Sequence, residues 1–223
     1  MTPATWAVAA ASCGALVFVW LAVLGARPTV QTLVTAGAKV DALVADGEWW
    51  RLVVAGALHA SPVHLALNCA LLAFALLAWS RLGRARGDDG WARPLAGLGL
   101  AVIGSAGGFV ASFLVRAGAS VGASAAVHGL LAAIVAAVWL GRAALPERAR
   151  LVGPIALSLS FVAVLGASFA VTGLDHAAHV GGAITGLALA PLVDRSGRAR
   201  VVVGGAALAL VLAGMIGGST ASS

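Results

Sequence analysis

Seven long apolar stretches, broken only by small or weakly polar residues, run along this 223-residue chain at 4–25, 62–79, 94–114, 124–140, 151–171, 177–193 and 201–218. A bilayer-spanning helix needs about 20 mostly apolar residues, with roughly 17–25 allowed. Strands of a membrane barrel alternate polar and apolar positions, which these runs do not. The pattern therefore predicts an all-α membrane protein, a polytopic helical bundle. The first run follows an uncharged Met1-Thr2-Pro3-Ala4-Thr5, without the basic segment of a cleaved signal, and reads as a retained helix. The connection over residues 26–61 is long for such a bundle and carries Trp49-Trp50-Arg51 and His59. A Trp pair at a membrane boundary reads first as an interfacial anchor.

Composition agrees with the pattern. The chain is 61% apolar and 10% charged, with a mean hydropathy of +1.02. Soluble domains run at roughly 45–50% apolar and about 25% charged, so a water-soluble globule and a disordered chain are both excluded. Cys13 and Cys69 lie inside apolar stretches, where a thiol behaves as a small hydrophobe, and no disulfide framework or redox chemistry is expected.

A pI of 11.3 would by itself suggest nucleic acid, but the positions of the charges assign them to topology. Arg81, Arg84, Arg86 and Arg93 separate spans two and three, Arg142, Arg148 and Arg150 spans four and five, and Arg195, Arg198 and Arg200 spans six and seven. Ten of the 14 basic residues thus fall in alternate loops, whereas Arg27, Lys39, Arg51 and Arg116 lie on the other side, the first three balanced by Asp41, Asp46 and Glu48. Short cytoplasmic loops collect Lys and Arg. The N-terminus is therefore expected inside, in a multi-pass protein of a bacterial plasma (inner) membrane, with the lipid bilayer and not nucleic acid as its partner. Spans two, four and six then all begin on the outer side.

Ionisable groups inside a bilayer are costly and mark functional sites. All five histidines lie at or near the outer ends of those three spans. His64 and Asn68 are four residues apart on one face of span two, and His59 precedes Pro62 in the entering loop. Ser124 and His128 share a face of span four in the same way. On span six the face of His179 continues through Gly182 and Gly186, a small-residue stripe that admits a close neighbour.

Three chemistries could use this set. A zinc site would draw on His64, His176 and His179, yet no Cys or Glu joins the cluster and the HExxH spacing is absent. A proton or ion path would need polar groups through the depth of the membrane, and the inner halves of these spans are apolar. Nucleophilic catalysis by Ser124 with His179 as base asks for a hydroxyl and an imidazole in contact plus oxyanion donors, which His64, Asn68 and the helix-start backbone at Ser124 could supply. It uses the residues most completely and requires no metal or other cofactor.

Four separated motifs resemble those of the rhomboid family of intramembrane serine proteases: Trp50-Arg51; His59-x4-His64-x3-Asn68; Gly122-x-Ser124-x4-Gly129; and Ala178-His179-x2-Gly182-x3-Gly186. The resemblance covers roughly residues 47–193. It implies a six-helix core over 1–193, followed in 194–223 by a cytoplasmic Arg-containing loop, a seventh transmembrane helix and a short outer tail. It also implies a serine-type endopeptidase that cuts transmembrane segments of other membrane proteins near the outer face. Ser124 would be nucleophile and His179 general base; His64 and Asn68 would join the Ser124 N–H as oxyanion donors. His59 would organise the loop, and Gly182 and Gly186 would seat span six against span four.

Two positions depart from the common family pattern. Ala125 stands where glycine is usual, and His128 where an aromatic residue commonly stacks on the catalytic histidine. A histidine there resembles the rhombosortase-like branch, which processes C-terminal anchors of surface proteins. Asp175, four residues before His179, is expected to cap the helix start. Two other functions remain open for this residue set: a rhomboid-like pseudoprotease that binds transmembrane helices without cutting them, and a small transporter or metal-binding membrane protein.

Overall fold

The computed structural model describes residues 2–25, 27–82, 90–140, 147 and 152–193, and among them there is no β-strand. Thr2 caps α1 (Pro3–Val19) by accepting the Thr5 N–H at 3.3 Å, and Pro3 occupies the first turn, where its missing N–H is no loss. The helix runs on as a π-helical turn, Trp20–Leu24, and ends at Gly25 with φ +72°. The other long helices are α5 (Pro62–Leu82), α6 (Ala92–Leu114), α7 (Ser124–Trp139), α8 (Gly153–Phe169) and α9 (His176–Val193). Each lies within a few residues of an apolar stretch read from the sequence.

The long connection is not a simple loop. It folds into α2 (Val30–Ala36), α3 (Asp41–Ala45), α4 (Arg51–Val54) and a 3₁₀ turn at Ala55–Ala57. Arg51 is buried at its centre, donating to the carbonyls of Val34 (2.6 Å) and Ala38 (3.0 Å) and pairing with Glu48 at 2.8 Å. Lys39 is fully buried, pairs with Asp41 and donates to the Gly118 carbonyl at 2.8 Å. Its backbone exchanges two hydrogen bonds with Ser120 (3.1 and 2.9 Å). Two of the balancing charges on this side of the chain are thus direct pairs, and Lys39 with Asp41 fastens the connection to the loop that leads into Ser124. Trp50 packs over Gly37, where φ is +112° and a Cβ would strike the ring, whereas Trp49 is exposed beside Phe113.

Two expectations change. Arg93 is a buried residue of α6 and not a loop charge. Its Nε donates to the Trp79 carbonyl at 3.0 Å, the Trp79 indole N–H donates back to the Arg93 carbonyl at 3.0 Å, and the guanidinium lies 4.6 Å over the Trp79 ring, so the pair ties α5 to α6. Nor is every apolar stretch matched by a helix of full spanning length. Among the described residues, Pro3–Leu24, Pro62–Leu82 and Ala92–Leu114 are long and apolar enough to cross a membrane by themselves. The apolar α7 has 16 residues, about 24 Å at 1.5 Å per residue, against a hydrocarbon core of ~30 Å. It is walled in by α5, α6 and α9, and a helix surrounded by protein does not have to match the lipid. Arg84, Arg86, Arg142, Arg148, Arg150, Arg195, Arg198, Arg200, the stretch 201–218 and the boundary at 193/194 lie outside the described residues.

Glycine brings the central helices together. A Cβ on Gly129 of α7 would lie 3.0 Å from the Gly182 carbonyl oxygen of α9 and 3.1 Å from the Gly104 Cα of α6, and one on Gly186 would strike the Gly129 carbonyl. In a membrane, where lipid is as apolar as the side chains, such backbone-to-backbone approach is a main source of helix association.

Candidate active site

Ser124 is the first residue of α7, and the chain reaches it through Gly122, whose φ of +123° is a left-handed conformation that favours glycine. Space demands glycine there too: a Cβ would lie 2.6 Å from Cε1 and 2.8 Å from Nε2 of His64. The turn is held by backbone and imidazole, since Gly122 N–H donates to the Ala55 carbonyl at 3.0 Å and Ala123 N–H to His59 Nε2 at 3.5 Å. Ala123, which precedes the helix, supplies no side-chain cap. The first N–H groups of α7, which have no acceptor within the helix, therefore carry positive potential at the position of Ser124.

His64 stands in the first turn of α5, with its N–H on Ser61 Oγ at 3.2 Å. Asn68 lies one turn on, buried, with Nδ2 donating to the His64 carbonyl at 3.0 Å. His59 is fully buried and meets the His64 ring edge-on at 5.1 Å. Burial, with His64 adding to it, lowers the His59 pKa to about 4. The neutral ring is the form that can accept from Ala123, and the fold favours it. That contribution is intact above the ordinary value of 6.5 and is lost as pH falls from there through about 4. Replacing His59 by Gln, which retains an acceptor, is expected to flatten the fall in Tm between pH 6.5 and 4 in detergent. Parallel Tm curves for wild type and His59→Gln would refute this.

On the opposite wall, His179 lies in the first turns of α9. Its Nε2 is 2.8 Å from Ser124 Oγ, and its Nδ1 is 3.1 Å from Ser168 Oγ on α8. His128, one turn below Ser124, stacks on it with ring centroids 4.4 Å apart and planes at 16°, and is held by a 2.8 Å bond from Nδ1 to the Ser124 carbonyl. The Asp175 carboxylate is engaged by groups other than the imidazole nitrogens, which meet Ser124 and Ser168. One carboxylate oxygen accepts the Ala178 N–H at 2.9 Å as a helix cap, and the other accepts the Ser112 hydroxyl of α6. His176 stacks on Phe169 of α8 at 4.4 Å, its ring centroid 6.3 Å from that of His179. Among the described residues no three His, Cys, Asp or Glu side chains converge as metal ligands.

Ser124, His179 and His64 open onto one cavity of about 290 Å³, lined also by Val34, Ser120 and Asp175. A larger, almost wholly apolar cavity of 580 Å³ between α1 and α6 has no titratable side chain in its wall and no hydroxyl beside an imidazole. The side chains picked out as candidates for chemistry border the smaller one. Of the residues picked out in the sequence, Ser124, His179 and His64 line this cavity, His128 packs against His179, and Asn68, His59 and Gly122 lie against His64. Gly129, Gly182 and Gly186 form the helix contact behind it, and Trp50 and Arg51 brace the connection beside it.

Sequence reasoning missed Ser112, Ser168 and Phe169, as well as the glycines of α6. The run Gly104-Ser105-Ala106-Gly107-Gly108 with Ser112 carried a readable small-residue spacing. Ser168 carried none, being one of several serines on an apolar helix.

Comparison with known proteins adds an independent line. The profile of the Rhomboid domain family matches residues 46–196. The chain is 33% identical over 176 residues to "Rhomboid protease GluP" of Bacillus subtilis, covering 77% of this chain and 31% of that protein. It is 30% identical over 161 residues to "RHOMBOID-like protein 4" of Arabidopsis thaliana, covering 72% and 38%. It is 32% identical over 163 residues to "Rhomboid-like protease 2" of Toxoplasma gondii, covering 72% and 53%. The chain thus spans about a third to a half of the length of these relatives.

Proposed function

The chain belongs to the rhomboid family, and from that premise we propose that it is an intramembrane serine endopeptidase with a Ser124–His179 dyad, cutting transmembrane segments of other membrane proteins near the outer face. The observation that carries this reading is the 2.8 Å contact between Ser124 Oγ and His179 Nε2 at the wall of a cavity. Two residues 55 positions apart, on different helices of an apolar bundle, stand in the relation that a hydroxyl nucleophile and its base require.

In the proposed reaction His179 Nε2 takes the Ser124 proton as Oγ attacks the scissile carbonyl. The oxygen that becomes negative meets the N–H groups at the start of α7, and His64 and Asn68 stand beside the turn at Gly122 to donate to it. Collapse of the tetrahedral intermediate passes the proton from His179 to the leaving amine and leaves an acyl group on Ser124. Water then attacks the acyl carbon, with His179 again as base, and releases the new carboxylate.

The outer-face reading rests on charge and length. Arg142 follows α7 closely and marks its far end as cytoplasmic. A helix of about 24 Å anchored there leaves Ser124 roughly 6 Å below the opposite edge of a ~30 Å hydrocarbon layer, within reach of water through a polar cavity. The same charge pattern puts the N-terminus in the cytoplasm and suits a bacterial plasma membrane.

Incubation of the detergent-purified protein with a fluorophosphonate probe is expected to leave one covalent adduct on Ser124, located by peptide mass mapping, and the probe is expected to block cleavage of a transmembrane reporter. A protein that binds the reporter but takes no label would instead be a helix-binding pseudoprotease.

A further inference from the structure

The base needs a defined tautomer. Imidazole accepts a proton at Nε2 only when its other proton sits on Nδ1, and a neutral histidine in an apolar site has no intrinsic reason to keep it there. In many hydrolases a carboxylate imposes this choice from behind. Here Asp175, the nearest carboxylate in sequence, has its oxygens engaged by the Ala178 N–H and the Ser112 hydroxyl.

The group that faces Nδ1 is the hydroxyl of Ser168, at 3.1 Å. A hydroxyl can donate or accept, so proximity alone does not fix the tautomer. The other bond made by this hydroxyl does, because Ser168 Oγ donates its single hydrogen to the Leu165 carbonyl at 2.6 Å, an acceptor one turn back in α8. With that hydrogen committed, Oγ presents only lone pairs to His179, and Nδ1 must carry the proton. Nε2 is then the unprotonated nitrogen and faces Ser124 Oγ at 2.8 Å.

We propose that Ser168 is a positioning residue that locks His179 in the Nδ1–H tautomer, completing a Ser168–His179–Ser124 relay whose third member is a neutral hydroxyl supplied by α8. This rests on the dyad reading above and deepens it. The polarity of the chain of bonds is set from its far end. The Leu165 carbonyl accepts the hydrogen bond of the Ser168 hydroxyl, Ser168 Oγ accepts the bond from Nδ1–H, and Nε2 takes the Ser124 proton during attack. When His179 becomes imidazolium both ring nitrogens carry protons, and Nδ1–H keeps the same acceptor, so the relay needs no rearrangement between ground state and transition state. His128, stacked at 4.4 Å, restrains the plane of the ring but is the hydrogen-bond partner of neither nitrogen, so it does not choose the tautomer.

The lock also ties the base to the seating of α8. None of the residues of α8 is buried, and at its outer end Ser168 and Phe169 reach His179 and His176. The base is poised only while that end of the helix is in place.

The test uses full-length protein labelled with ¹⁵N-histidine in detergent, with the His179 signals assigned from their loss in His179→Gln. Above the titration range of its imidazole, wild type is expected to show a protonated Nδ1 and an unprotonated Nε2. Ser168→Ala is expected to shift His179 toward a mixture of tautomers and to lower kcat on a transmembrane reporter by roughly three- to tenfold with KM unchanged, the range for a lost neutral hydrogen bond. Ser168→Thr, which keeps the hydroxyl, is expected to restore both. An unchanged His179 tautomer in Ser168→Ala would overturn the lock whatever the activity, as would a tautomer shift in Ser168→Ala that Ser168→Thr does not reverse. The nitrogen signals need no catalysis, so failure of Ser124 to take a fluorophosphonate label would defeat the dyad reading while leaving the tautomer result to stand or fall separately.

Discussion

Ser124→Ala is expected to abolish cleavage of a transmembrane reporter, lowering the rate by at least about 10⁴-fold, while the protein keeps its fold. The first half follows from the division of labour proposed for the site. Without Oγ no acyl intermediate forms. What remains is water activated by His179 beside the oxyanion donors, and in soluble serine hydrolases loss of the nucleophile costs on the order of 10⁶ in turnover. The second half follows from packing. The substitution removes one hydroxyl from the edge of a cavity and leaves the first turn of α7, the Gly122 turn and the His128–His179 stack in place. A melting temperature within a few degrees of wild type would show that activity, not folding, was lost. Retention of more than about a tenth of the wild-type rate would sink the nucleophile assignment, and a thermally intact but inactive variant would be its strongest support.

Gly182→Val is expected to cost about 10²-fold or more in kcat together with fluorophosphonate labelling of Ser124, and to lower Tm. A Cβ on Gly182 would strike the Ala125 carbonyl and stand 3.0 Å from its carbon, so the obstacle is backbone and cannot rotate away. Overpacking of this kind costs roughly 1–3 kcal/mol or more, relieved by moving α9 off α7. His179 lies one turn from Gly182 on the same helix, and a shift of about 1 Å is enough to break a 2.8 Å contact and to cost about 10²-fold in rate. Gly166→Ala in α8 is the matched control. A Cβ there meets nothing within 4 Å, and it is expected to leave activity unchanged and Tm equal or slightly higher. A Gly182→Val protein that is destabilised yet labels at the wild-type rate would show that the glycine contact does not position the base.

The two variants also mark what could be read without a structure. Ser124 and Gly182 both stand out in the linear sequence, one as a polar exception at the start of an apolar run, the other as part of a small-residue stripe. Their helices were legible too, because a bilayer imposes a length and a composition on each segment separately, and the long helices fall where the apolar runs do. Arg51 was visible as a charge near an aromatic pair, but its service as donor to the Val34 and Ala38 carbonyls was not, since backbone acceptors leave no trace in residue identity. Arg93 was misread for a related reason. A basic residue at the mouth of a span looks like a topology marker whether it faces water or, as here, folds back on Trp79.

The sequence alone therefore determined that this is a helical membrane bundle, which spans begin at the same face, and that Ser124, His64, Asn68, His128 and His179 are the polar exceptions gathered there. These are properties of single segments, set by the cost of placing polar groups in hydrocarbon and by the periodicity of one helix. Tertiary structure alone decided which atoms meet. It turns Asp175 toward Ser112 and the start of α9, brings Ser168 rather than another serine of α8 to His179, and closes α7 on α9 until Ser124 Oγ and His179 Nε2 stand 2.8 Å apart. Contacts of that kind depend on how far each helix is rotated and how closely the glycines let neighbours approach, and neither quantity is written in any one segment.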